Sequence, residues 1–189
     1  MNEFSRENKH LSETDVIDLY QQNIMNLKKI IKDIRLNKSV TDVCLLNLCI
    51  FFSNYTSGTK TIICKYLHSS NLTKNKLNSM SVPELFVKFK KQISKDMGTP
   101  CMLSTELHLV AFDLRNKLSH TINQQSYLSK VIHTSGINKI IRFLDKLEKE
   151  SSEIHHYFKI KVENNNSITE NLNNESLKEI NQYPYGIHV

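Results

Sequence analysis

The sequence predicts an all-α protein, an antiparallel helical bundle of about four to six helices. Only four glycines and three prolines occur in 189 residues, whereas sandwich and Rossmann-type chains usually need more of both for their turns. Apolar residues also recur every three or four positions over long stretches, which is typical of amphipathic helices. With 39% hydrophobic residues, the chain can bury one core, so one domain is expected.

The first two predicted helices are long runs of apolar side chains at helical spacing. Residues 14–36 place apolar side chains at steps of three, four or five, and Ser12 or Thr14 supplies an N-cap. A short connection at residues 37–39 follows. The second helix covers residues 41–68 and is so densely apolar that it must be covered on most sides, which makes it the central helix.

Glycine, proline and asparagine divide the middle of the chain. Gly58 interrupts the second helix at a cost of about 1 kcal/mol relative to alanine, which predicts a kink or a close helix contact. Residues 69–81 are polar and rich in asparagine, which indicates a loop. Pro83, two residues after a serine, marks the start of a third helix that runs to about residue 95. A break at residues 97–100 ends it.

The last predicted helical stretches cover residues 105–120 and 126–160. The second is expected to contain a break at Gly136. Residues 164–189 are rich in asparagine and poor in apolar side chains, so disorder is expected there, or a strap that docks on a partner. The expected organisation is an N-terminal extension (1–13), a helical domain (14–160) and a C-terminal tail (161–189).

Composition gives predictions for the cellular location and for bound cofactors. Residues 1–9 are polar, without a signal-peptide pattern, so a cytoplasmic location is expected. The most apolar run, residues 43–52, is about half of the ~20 residues that a membrane helix needs. The four cysteines lack zinc-site or disulfide-scaffold spacing and are expected to be buried thiols. No metal and no other cofactor is expected.

Positive charge is concentrated in one stretch. The chain carries a formal +6, and residues 60–95 contain eight lysines against a single acid, Glu84. Such a stretch either follows a phosphate backbone, with counterion release, or is a solvated lysine face. Charge alone leaves both interpretations open. The candidate RNA contacts are the lysines Lys88, Lys90, Lys91 and Lys117.

The segment Arg115-Asn116-Lys117-Leu118-Ser119-His120 carries the candidate chemistry. It resembles the signature of the HEPN family, an arginine followed four to six residues later by a histidine, often with a polar residue directly after the arginine. The resemblance implies a HEPN-like bundle over residues 14–160. It also implies a metal-independent endoribonuclease of toxin–antitoxin or antiviral-defence systems, which leaves cyclic-phosphate ends.

The chemistry of RNA cleavage suits these residue types. A proton must be accepted from the 2′-hydroxyl or donated to the leaving oxygen, and the imidazole of His120 suits either role with its ordinary pKa of ~6.5. The guanidinium of Arg115 supplies a fixed positive charge and paired donors for the transition state. Asn116, four residues before the histidine, is a third candidate that orients the imidazole or binds a phosphate oxygen.

Arg115 and His120 differ by about 140° on an ideal helix. Either the helix loosens or ends before His120, or the site combines residues from two chains. The resemblance implies the second arrangement in part, because family members place two motifs across a two-fold axis. The expected partners are therefore RNA, a second copy of the chain, and an antitoxin or defence-system protein.

Ordinary structural roles compete with these assignments. Arg115 can pair with an acid, His120 can cap a helix, and Lys117 can pair with Asp113 four residues earlier. A non-catalytic HEPN-like module that binds RNA or protein is the alternative function. A scaffold or antitoxin that uses the tail is a third. Ile122 stands where family members paired with a nucleotidyltransferase carry a tyrosine, so control by tyrosine modification is not expected.

Overall fold

The computed structural model describes residues 11–68 and 72–181, with side chains for all of these except Lys74 and residues 169–181. The described residues are helical, without a β-strand among them, which confirms the all-α prediction. They form seven helices: α1 Glu13–Asn37, α2 Asp42–His68, α3 Lys74–Ser79, α4 Val82–Met97, α5 Thr105–Ser119, α6 Gln124–Ser135 and α7 Ile137–Asn181.

The starts of α1 and α4 are set by capping boxes. Of the two candidate caps for α1, Ser12 is the one used: its Oγ accepts from the N–H of Asp15 at 3.0 Å, and its own N–H donates to the Asp15 carboxylate at 2.9 Å. Ser81 and Glu84 repeat the arrangement at α4, with proline in the first turn as predicted. Each box satisfies donors that a helix N-terminus otherwise leaves open.

Helix α2 is central, as predicted, because it packs against every other helix. Its N-terminal half joins the C-terminal half of α1 and parts of α5, α6 and α7 in one apolar cluster. Its C-terminal half joins the N-terminal half of α1, together with α3, α4 and later turns of α7, in a second. The chain directions in the two clusters make α1 antiparallel to both α2 and α7.

Gly58 is the point of closest approach between α1 and α2. A Cβ built on this glycine would lie 3.2 Å from Cδ2 of Tyr20. The ring of Tyr20 is buried, and its hydroxyl shares a 3.0 Å hydrogen bond with Thr59. Of the two predicted roles for Gly58, a kink or a close helix contact, the structure shows the close contact.

We expect Gly58→Ala to lower the free energy of unfolding by roughly 1 kcal/mol, although alanine is the better helix former by about that amount. The reason is that Tyr20 is buried and its hydroxyl is bonded to Thr59, so the ring can move away only by weakening these contacts. Urea denaturation would measure the change. Ser53→Ala, at an exposed position of the same helix, is the control and should be neutral or slightly stabilising. A stabilised Gly58→Ala variant would contradict the close contact.

Two interpretations of the polar segments need correction. The segment predicted as a loop at residues 69–81 contains α3, because Leu77 is buried and ties this short helix to the second cluster. The tail predicted to be disordered from residue 164 continues α7 as helix to Asn181, so the expected boundary at residue 161 falls inside a helix. The predicted break at Gly136 is found, with φ of 83° between α6 and α7.

Two predicted segments lie outside the described residues. They are most of the N-terminal extension (1–10) and the last eight residues (182–189), which include Tyr183, Tyr185 and Ile187. Within the described part of the chain, no helix combines the length and apolar character needed to cross a membrane.

Candidate functional site

The Arg115-to-His120 segment forms the last turn and the end of α5. The helix begins at the N-cap Ser104, whose Oγ accepts from the N–H of Leu107 at 3.2 Å. It ends at Ser119, where the N–H of Thr121 turns back to the carbonyl of Leu118 at 3.1 Å. His120 is therefore the C-cap, with φ −99° and ψ 2°. The helix therefore ends directly before His120, which is the first residue beyond its last turn.

The exposed groups of the motif carry few contacts. Asn116 and His120 are exposed, and Arg115 is half-buried. Among the described residues Arg115 forms no ion pair with an acid; its Nη1 donates to Oδ1 of Asn116 at 3.3 Å. The amide oxygen of Asn116 thus contacts Arg115 rather than orienting His120. This arrangement leaves the guanidinium without a competing carboxylate.

Lys117 takes the ordinary role that its spacing allows. Its Nζ lies 2.7 Å from the carboxylate of Asp113, with both side chains mostly exposed. The hydrogen bond and the charge of Asp113 raise the pKa of Lys117. Of the four candidate RNA contacts, this one is already paired with an acid.

The other three candidate contacts lie on α4, and they divide between two faces. Lys88 and Lys91, joined by Lys95, follow the i, i+3, i+7 spacing of one helix face. Lys90 lies on the flank, between this face and the buried one. The buried face, almost opposite, consists of Leu85, Phe86, Phe89 and Ile93. We call Lys88, Lys91 and Lys95 the α4 lysine face.

The structure does not bring the α4 lysine face and the motif together within one chain. The buried face of α4 belongs to the second apolar cluster, around the C-terminal half of α2. Leu118, inside the motif, belongs to the first cluster, around the N-terminal half of α2. The two features therefore lie toward opposite ends of the central helix.

A buried polar chain, which the sequence analysis missed, crosses the middle of the bundle. His108 of α5 is fully buried, its ring stacked on Phe86 with centroids 4.7 Å apart. Its Nδ1 shares a hydrogen bond with the hydroxyl of Tyr55, and its Nε2 lies 3.0 Å from Oε2 of Glu150. That second contact is not a hydrogen bond, because Nε2 has no aligned partner. The same carboxylate oxygen accepts from the N–H of Ser104 at 2.8 Å.

The sequence did carry a signal for this chain. His108 lies three residues before Ala111 on the apolar stripe of α5, and Glu150 lies three residues after Leu147 on the apolar stripe of α7. A titratable residue inside an apolar stripe indicates that its side chain needs a polar partner, because a lone buried charge is very costly. The spacing does not identify that partner.

A second buried histidine nitrogen predicts a pH effect on stability. Burial, and then the ammonium of Lys159, lower the pKa of His155, and its Nε2 is buried without a hydrogen-bond partner. The unfolded chain therefore takes up the proton more readily than the folded chain. Stability is fully present above the ordinary histidine pKa of ~6.5 and falls as the pH drops below it.

We expect the melting temperature to fall between pH 7.5 and pH 5.5, and His155→Leu to reduce this dependence. Carboxylates such as Asp96, with a lowered pKa, titrate below this window. Differential scanning calorimetry at several pH values would measure the effect, with exposed His156 replaced by leucine as the control. Equal pH dependence in His155→Leu and wild type would contradict the assignment.

Three surface grooves that described residues form do not include Arg115 or His120. The groove nearest to the motif along the chain has a volume of about 550 Å³ and includes Asn123. It lies between the start of α2 and α6. It is lined by Asp42, Leu45, Asn123, Gln125, Ser126, Ser129, Lys130 and His133. Within the described residues no group of three or more histidine, cysteine or acidic side chains is arranged to hold a metal ion.

The fold and the site together define an all-α bundle with an exposed histidine and a half-buried arginine at the end of its fifth helix. Comparisons with protein-family models, with curated proteins and with solved structures found no match to this chain.

Proposed function

We propose that the chain is a metal-independent endoribonuclease of a toxin–antitoxin or antiviral-defence system, HEPN-like and active as a homodimer. The observation that carries the proposal is the end of α5 at Ser119. It makes His120 the first residue beyond the last helical turn, in a segment whose arginine forms no ion pair with an acid among the described residues.

The proposed reaction uses the RNA's own 2′-hydroxyl as nucleophile. The 2′-oxygen bonds to phosphorus as the bond from phosphorus to the 5′-oxygen breaks, which gives a 2′,3′-cyclic phosphate and a 5′-hydroxyl. One neutral imidazole accepts the 2′ proton, and one imidazolium donates a proton to the 5′-oxygen. A single His120 fills one role at a time, so two copies across a two-fold axis supply both.

Arg115 and Asn116 complete the proposed site. The guanidinium of Arg115 binds the non-bridging phosphate oxygens, where negative charge grows in the transition state. Asn116 holds that guanidinium through its Oδ1, as the 3.3 Å contact indicates. In this scheme Asn116 acts as a positioning residue rather than a proton carrier.

The RNA backbone is proposed to follow the α4 lysine face. Each neutralised phosphate releases counterions, so binding should weaken steeply with salt. The separation of this face from the motif within one chain suits a substrate several nucleotides long. A cytoplasmic location and control by an antitoxin or defence-system partner belong to the same proposal.

The test is cleavage in the presence of a chelator. Purified protein is incubated with single-stranded RNA in EDTA, and the expected products carry 2′,3′-cyclic phosphate and 5′-hydroxyl ends. Phosphatase and polynucleotide kinase treatment, followed by gel mobility, distinguishes these ends from a linear phosphate. Loss of cutting in EDTA would end the metal-independent assignment.

A non-catalytic module that binds RNA is the second candidate. It is favoured by one observation: three surface grooves formed by described residues leave out Arg115 and His120. Such a module would retain RNA without cutting it, and charge reversal at Lys88 and Lys91 would release the RNA. Uncut RNA bound by wild type would decide for this candidate.

A further inference from the structure

Helix α2 exposes an apolar stripe near its start. Val43, Leu46 and Ile50 are 67%, 48% and 50% exposed, and their i, i+3, i+7 spacing places them on one helix face. Of the residues between them, Asn47 is exposed, whereas the other four face the other way and are buried in the first cluster: Cys44, Leu45, Leu48 and Cys49. The stripe is therefore separate from the core of the monomer. We call Val43, Leu46 and Ile50 the α2 patch.

More exposed apolar side chains surround the α2 patch at the motif end of the bundle. Leu36, at the end of α1, is 70% exposed, and Ile122, two residues after His120, is fully exposed. The groove that joins Leu45 to Asn123 links the start of α2 to the segment that follows the motif. Monomeric proteins rarely leave such a concentration of apolar surface in water.

Charge indicates what covers the α2 patch. From Val43 to Thr59 the chain has no charged residue over 17 positions, where the chain average of 23% charged residues predicts about four. The three side chains of the α2 patch offer an RNA or an acidic peptide no cation, and in the adjoining groove Lys130 is accompanied by an acid, Asp42. A second copy of this +6 chain can bring its own neutral face against this one without like-charge repulsion, and interface cores are depleted of charge in this way.

We propose that the α2 patch is the centre of a two-fold interface between two copies of the chain. The choice of a second copy rests on the proposed function, which needs two motifs. The two α2 helices cross antiparallel with the axis near Leu46 and Asn47, so that Val43 of each copy faces Ile50 of the other. Because both motifs lie at the patch end of their chains, this arrangement brings them to the same side of the dimer.

The size of the α2 patch suits the centre of an interface rather than the whole of it. Stable interfaces bury about 800 Å² on each partner, with a dry apolar centre and a polar rim. The α2 patch forms the centre. Neutral positions of the same helix, such as exposed Asn47 and Ser53, together with Leu36 and Ile122, form the surrounding contacts.

Sedimentation equilibrium tests the interface. Wild type should be a dimer, and Leu46→Glu should raise the dimer Kd at least about 30-fold, as expected for a central contact residue. Val87→Glu is the matched control, because Val87 on α4 is also 48% exposed and lies outside the α2 patch. A monomeric wild type, or a Leu46→Glu variant that dimerises like wild type, would overturn the proposal.

Cross-linking tests the position of the axis. A cysteine at Asn47 lies close to its own symmetry mate when the helices cross there, at interaxial distances of about 8–10 Å. Mild oxidation of Asn47→Cys should give a disulfide-linked dimer on a non-reducing gel. Asn75→Cys, at an exposed asparagine of α3, should not. Equal cross-linking of the two variants would place the interface elsewhere.

RNA cleavage by the same variants separates this inference from the proposed function. If Leu46→Glu is monomeric and inactive although Arg115 and His120 are intact, both proposals are supported. If it is monomeric and cuts RNA like wild type, the interface stands and the shared site is wrong. If Leu46→Glu is dimeric while RNA cleavage still depends on His120, the proposed interface is wrong and the ribonuclease assignment is retained.

Discussion

Replacement of His120 by alanine is expected to slow RNA cleavage by roughly 10²–10⁴-fold, the usual contribution of a general acid or base. The fold should not change, because His120 is exposed and follows the last residue of α5. Arg115→Ala should slow cleavage by roughly 10²–10³-fold, since it removes charge stabilisation from the transition state. Neither change should reduce RNA binding in the same proportion.

Single-turnover cleavage of a labelled RNA would measure these rates, with circular dichroism to confirm the helical content. His133→Ala is the matched control, because His133 is an exposed histidine in the last turn of α6 with no proposed role. It should cut RNA like wild type. Cutting that survives both Arg115→Ala and His120→Ala would reject the proposed site, whatever the metal requirement.

His108→Ala is expected to lower the free energy of unfolding by roughly 3–5 kcal/mol, as for other large aromatic side chains truncated in a core. The ring is fully buried, and it stacks on Phe86. Its removal also leaves the buried hydroxyl of Tyr55 without this partner, which adds to the loss. Urea denaturation would measure the change, and Gly58→Ala provides a direct comparison.

A double-mutant cycle separates the packing of His108 from its hydrogen bond. His108→Phe keeps a ring but removes this partner of the Tyr55 hydroxyl, and Tyr55→Phe removes the hydroxyl partner of His108 Nδ1. If the two groups are bonded as the structure shows, the double variant should be less destabilised than the sum of the single variants, by about 0.5–3 kcal/mol. Additivity within experimental error would show that the bond contributes no coupling.

Features that depend on local rules could be predicted from the sequence. Helix periodicity located α1, α2, α4 and α5, and the serine cap at Ser12 follows from hydrogen bonds within four residues. Gly58 stood out because a glycine in an apolar helix needs a structural reason, which is the ring of Tyr20. Gly136 was identified as a break for the same reason, and its φ of 83° is one that other residues rarely adopt.

Features that depend on distant partners could not be predicted in this way. Helix α3 forms in a polar segment because Leu77 packs into the second cluster, which local composition does not reveal. Pairing of His108 with Glu150 joins residues 42 positions apart in the chain. The sequence also could not show how far the α4 lysine face lies from the Arg115–His120 motif. The packing of α4 and α5 around α2 places them toward opposite ends of α2.

The length of α7 has a thermodynamic consequence. This 45-residue helix is about 68 Å long at a rise of 1.5 Å per residue, yet Val162 is the last described side chain that it buries. The first 26 residues are anchored by the rest of the bundle, whereas the described side chains from Glu163 to Ile168 are mostly in contact with water. Local opening should therefore cost little at residues 163–168 and close to the full unfolding free energy around Leu147, so one continuous helix spans two regimes of stability.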